Sequence, residues 1–65
     1  MNRLKFERTN KRLSQTHVAH VAHIPQPTLS QIELGRLVPT PEELQRLAAV
    51  FGLTPSELLE PVVPR

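Results

Sequence analysis

The sequence predicts an all-α domain, and three observations predict it. A Thr-Pro-x-Glu start signal occurs twice, an apolar stripe of helical period follows the first of these, and a break of about three residues separates two helical stretches in the first half. At 65 residues the chain is one domain at most, with a small core, because so short a chain buries only about 60% of its extended surface. The domain is expected to span residues 1–60, with residues 61–65 a short tail or the start of a linker.

In chain order, Ser14 is a good N-cap, and Val18, Ala19 and Ala22 fall on one side of the helix that follows it. His17, His20 and His23 fall on the other side. A helical pair that chelates a metal is usually spaced i, i+4; these three lack that spacing and have no Asp, Glu or Cys beside them. They are expected to face solvent or phosphate, and no metal or other cofactor is expected.

His23-Ile24-Pro25 is too short for anything but a sharp corner. The next helix begins near Gln26, with Pro27 in its first turn, where a missing N–H costs nothing. Leu29 and Ile32 point inward, and Gly35 ends the helix. Pro27, Ser30, Gln31 and Leu34 point away from the core, with Gln26 and Thr28 on the flanks. An ordinary solvent-facing helix carries Lys and Glu here, whereas this face has amides, hydroxyls and a proline.

Thr40-Pro41-Glu42-Glu43 combines a capping Thr, a Pro at the first helical position and a Glu three residues after the cap. Leu44, Leu47, Ala48 and Phe51 form the stripe, and Gly52 supplies a left-handed stop. Thr54-Pro55-Ser56-Glu57 repeats the start signal before Leu58-Leu59, and Pro61 and Pro64 keep this last helix short.

Charge and composition narrow the function. Residues 1–36 carry six Lys/Arg against two Glu, and residues 37–65 carry two Arg against four Glu, so a polyanion is expected to meet the first half. With no Cys there is neither a disulfide nor a thiolate zinc site. The longest apolar run, residues 47–53, is too short to span a bilayer, and the N-terminus lacks the apolar core of a signal peptide, so the expected location is the cytoplasm. No nucleophile is paired with a base and no carboxylate pair shares a face, so an enzyme is not expected.

Two short helices meeting at a tight corner, the second showing amides and hydroxyls, make a helix-turn-helix. Gln can bond adenine N6 and N7 together, and Thr and Pro offer apolar surface to a thymine methyl. Through Leu13-Ser14-Gln15, Val18-Ala19, Ile24, Thr28-Leu29-Ser30, Ile32-Glu33-Leu34-Gly35, Pro39, the Leu44/Leu47/Ala48 stripe and Leu58-Leu59, the chain resembles the phage repressor and Cro-like, or xenobiotic-response-element (XRE), helix-turn-helix family. The resemblance runs from about Leu4 to Leu59.

It implies a compact five-helix, lambda-repressor-like domain whose helices 2 and 3 form the motif. It implies DNA binding through Gln15, Thr16, Gln26, Pro27, Thr28, Ser30, Gln31 and Arg36, and a partly buried ion pair, Arg8 with Glu33, tying helix 1 to helix 3. Relatives act mostly as dimeric repressors on palindromic operators; Leu37, Val38, Val62 and Val63 are the candidates for a homodimer surface. Four departures stand out: His23 replaces the usual corner Gly, Pro25 replaces a hydroxyl N-cap, Pro27 replaces a hydrogen-bonding residue at a frequent base-reading position, so that readout there is expected to be apolar or absent, and Glu7 sits where an inward Leu is common, with Phe6 facing elsewhere. The alternative reading is a protein-interaction module, such as the antitoxin of a toxin pair, or the N-terminal piece of a longer repressor.

Overall fold

The computed structural model describes residues 3–59 and has five helices among them: α1 (Arg3–Asn10), α2 (Gln15–Val21), α3 (Gln26–Glu33), α4 (Pro41–Phe51) and α5 (Pro55–Leu58). The expected all-α class holds. The expected tail, residues 61–65, lies outside the described residues, and Val62 and Val63 with it.

Local chemistry sets the helix starts. Ser14 accepts a bond from the His17 N–H, while Thr40 and Thr54 each complete a reciprocal capping box, with Glu43 and Glu57. Each reciprocal pair satisfies two backbone donors that a helix start otherwise leaves to water. The two hydrogen bonds from Thr54 hold the Glu57 carboxyl below its ordinary value. Among α2 to α5, only α3 starts without a side-chain cap, because Pro25 occupies that position and has nothing to accept with.

The ends of α1 to α4 share one device. After each helix a left-handed residue donates its N–H back to one carbonyl, and the next residue donates to the carbonyl before that one. Gly35 and Gly52 fill the left-handed position at φ 75° and 66°, as expected. His23 and Arg12 fill it at φ 56° and 58°, so two helices accept the strain of a side chain where glycine is free of it. The strain at His23 follows from its place in the corner; that at Arg12 comes at the end of a helix whose sequence carries no glycine stop signal.

One core joins all five helices. Leu4 of α1, Val18 and Ala19 of α2, Leu29 and Ile32 of α3, Leu47, Ala48 and Phe51 of α4 and Leu58 of α5 are buried together with Ala22 and Ile24 of the corner. α2 packs on α3 and α4, while α1 and α5 close on α4. Leu29, Leu47 and Val18 are the largest fully enclosed side chains, each stabilising the fold by about 1.5–3 kcal/mol relative to an exposed position. Leu59, grouped with Leu58 in the sequence, is instead 61% exposed, because α5 stops after Leu58.

Helix α1 carries an acid inward. Glu7 is only 8% exposed, and Arg3 and Lys11, one turn before and after, approach its carboxylate to 2.9 and 4.0 Å. Neighbours one turn away along the chain thus compensate the charge that replaces an inward leucine, while Phe6 stays at the surface.

Candidate nucleic-acid interface

The turn between α2 and α3 sets how the second helix is presented. Ala22 ends α2, His23 turns left-handed, Ile24 drops into the core, and Pro25 leads straight into α3. Arg46 of α4 donates from Nε to the Ala22 carbonyl at 2.7 Å. A cation there satisfies a helix-end acceptor and complements the negative end of the α2 dipole. The sequence offered no signal for this contact, since its partners lie 24 residues apart and one of them is backbone.

Helix α3 is held by Leu29 at 0% and Ile32 at 5% exposure, which leaves the opposite side of the helix facing outward. Gln26, Pro27 and Gln31 are exposed. Thr28 and Ser30 are half-buried; for Ser30 this moderates the outward position expected, because it sits next to Leu29 at the edge of the packed face. Thr16 is exposed on α2 and Gln15, beside it, is half-buried. No Lys, Arg, Asp or Glu lies on the exposed face of α3.

Glu33, at the end of α3, is a hub. Arg8 Nε and Nη2 donate to its two carboxylate oxygens at 2.6 and 3.0 Å, and Arg8 Nη1 donates to the Leu13 carbonyl at 2.8 Å. Gln15 Nε2 donates to Glu33 Oε1 at 3.0 Å, and Gln26 Nε2 donates to Gln15 Oε1 at 3.3 Å. Side chains from α1, α2 and α3 are thereby joined in one run that surfaces at Gln26. The family resemblance implies that Gln15 braces the recognition helix, and these two amide links, to Glu33 and to Gln26, are its bonds to α3.

Arg36 and the loop to Pro39 follow directly after the end of α3. At the ends of α1, α2 and α4 the residue after the left-handed one is apolar and turned to the core, as Leu13, Ile24 and Leu53. At the end of α3 the equivalent residue is Arg36, and it is exposed. Leu37 and Val38 follow at 45% and 83% exposure and line, with Leu44 and Leu59, an apolar hollow of about 170 Å³.

His17, His20 and His23 are exposed, and among the described residues no group of three or more His, Asp or Glu side chains could hold a metal ion. No helix among these residues is long and apolar enough to cross a membrane.

A 42% identity over 60 residues relates the chain to the HTH-type transcriptional regulator DdrOP3 of Deinococcus deserti. The aligned region takes in 92% of this chain but 46% of that protein, so the chain spans about half the length of the curated relative it matches. The helix-turn-helix family model matches residues 4–58, from the first buried leucine of α1 to the last of α5, and takes in the α2–α3 corner and its exposed second helix. The chain belongs to the helix-turn-helix family, of the XRE type anticipated from its motifs.

Proposed function

We propose that the chain is the DNA-binding domain of a transcriptional regulator, that it reads the major groove with α3, and that it acts as a repressor by occluding a palindromic operator. The observation that carries this reading is the division of α3: Leu29 and Ile32 anchor it, and the exposed Gln26, Pro27 and Gln31 form an uncharged face suited to base edges. In this reading Gln26 and Gln31 meet bases, Pro27 and Thr28 offer apolar contact, and Thr16, Ser30 and Gln15 adjoin the backbone. Arg36 contacts a phosphate, a role supported by its exposure at a helix end where the other helices bury an apolar residue. The similarity to an HTH-type transcriptional regulator from Deinococcus deserti supports the role of transcriptional regulator. The domain is expected to work in the cytoplasm, with no catalytic function.

A palindromic site needs two copies with recognition helices about 34 Å apart. The exposed Leu37 and Val38, continuous with the hollow that Leu59 borders, support a second copy of this chain as the partner. Sedimentation that stays monomeric at every concentration, with operator present, would contradict this. One-to-one purification with a different protein and no DNA affinity would favour the interaction-module alternative.

The test begins with selection of bound duplexes from a random pool, which reads binding, preference and half-site symmetry together. On the selected operator, Gln31→Ala is expected to relax preference at one position by about 1–3 kcal/mol. Arg36→Ala is expected to weaken all sequences alike and to lower the salt slope by about one. Equal losses on operator and random DNA for both variants would reject the reading.

A further inference from the structure

The four residues that turn left-handed after a helix are not equally suited to that conformation. Gly35 and Gly52 adopt it without strain, and histidine, as at His23, is among the side chains found there more often than most. Arginine has no such preference, so Arg12 at φ 58° holds a strained backbone that glycine would hold freely. Among the described residues Arg3 is paired with Glu7, Arg8 with Glu33 and Arg46 with the Ala22 carbonyl, whereas Arg12 and Arg36 are exposed and make no hydrogen bond or ion pair. The strained side chain thus makes no polar contact within the described fold.

The backbone just after Arg12 is fastened to the end of α3. The Leu13 carbonyl accepts from Arg8 Nη1 at 2.8 Å, the same guanidinium grips Glu33, and Gln15 donates to that carboxylate at 3.0 Å. Arg12 immediately precedes this clamped segment and Arg36 follows shortly after Glu33, so two unpartnered guanidiniums flank one ion pair along the chain. Between them lies the uncharged exposed face of α3. We propose that Arg12 binds a phosphate of the DNA backbone, a second such contact beside that of Arg36, and that its strained conformation is retained because it carries this guanidinium. The proposal rests on the reading above that α3 enters the major groove with Gln15 and Thr16 against the backbone. A guanidinium offers a phosphate two parallel hydrogen bonds, the partner that Arg12 lacks in the free chain. Such a contact positions the domain and carries no sequence information, so it strengthens every duplex alike and leaves base preference to α3.

Two measurements test this. The first compares Arg12→Gly, which removes charge and strain together, with Arg12→Lys, which keeps both, on the selected operator and on random DNA between about 50 and about 200 mM salt. Arg12→Gly is expected to weaken both duplexes by the same factor and to lower the salt slope by about one, so that the loss is about three- to four-fold greater at the low-salt end. Arg12→Lys should keep the wild-type slope, because an ammonium also neutralises one phosphate. The melting temperature of free Arg12→Gly should hold or rise as the strain is relieved. An unchanged slope in Arg12→Gly or an equal fall in both variants would overturn the proposal. So would a melting temperature lower by more than about 5 °C in Arg12→Gly, which would show Arg12 serving the fold instead.

The second locates the contact. Operators that carry one uncharged methylphosphonate in place of a single phosphate are titrated with the wild type and with Arg12→Gly. One position is expected at which the replacement weakens the wild type by about three-fold or more and leaves Arg12→Gly unaffected, and it should differ from the position that behaves this way with Arg36→Ala. Equal weakening of wild type and Arg12→Gly at every position would mark a general effect of charge and overturn the proposal. A wild-type chain without affinity for any duplex would instead reject the DNA reading itself, whereas wild-type binding that Arg12→Gly leaves intact rejects this contact alone.

Discussion

Removing Arg8 should expose how much of this small fold depends on one pair. In Arg8→Met the carboxylate of Glu33, with 2% of its side chain exposed, loses both guanidinium bonds, and the Leu13 carbonyl loses its donor. Breaking a buried pair from one side costs roughly 3–5 kcal/mol, because the remaining charge stays desolvated. A domain of 65 residues, at 0.05–0.15 kcal/mol per residue, holds only about 3–10 kcal/mol in total. The single variant should therefore lose roughly a third to all of that stability at neutral pH. Replacing both partners, as Arg8→Met/Glu33→Leu, leaves no unpaired charge and should recover all but about 1–2 kcal/mol, the remainder reflecting the Leu13 carbonyl and the Gln15 amide left to water. Urea titration followed by circular dichroism measures both, with an unchanged m value as the check on two-state behaviour. A loss below about 1 kcal/mol in Arg8→Met, or a double variant no better than the single one, would refute the reasoning.

Other consequences follow from the helix ends and the core. Leu29→Ala removes a fully enclosed side chain and should cost about 2–5 kcal/mol in the same titration. His23→Gly relieves the left-handed strain at φ 56° while adding freedom to the unfolded chain, so a net gain of up to about 1 kcal/mol is expected, seen as a higher melting temperature. Thr40→Ala breaks the α4 capping box and should cost about 0.5–2 kcal/mol by urea titration. The Glu57 carboxyl, lowered by its bonds to Thr54, favours folding above its ordinary value of 4.5, and this contribution disappears as pH falls through the lowered folded-state value. A carboxyl titration by nuclear magnetic resonance should place the Glu57 midpoint below 4.5 and shift it upward in Thr54→Ala.

The residues themselves determined where α2 to α5 begin and end and which face each buries. A cap, a proline in the first turn, a left-handed glycine and an apolar stripe all act within about one or two turns, so their spacing along the chain is their spacing in space. That sufficed to orient α3 with Leu29 and Ile32 inward and its glutamines outward. Helix α1 had no such signals, and its extent rested on resemblance alone. Only the packed structure decided that Arg46 reaches the Ala22 carbonyl, that Arg12 takes a glycine-like conformation, and that Gln26, Gln15 and Glu33 form one directed run. The Arg46 contact and the Gln26–Gln15–Glu33 run depend on groups 11 to 24 residues apart meeting across helices. Their separation is set by how the core closes, which no periodicity along the chain encodes.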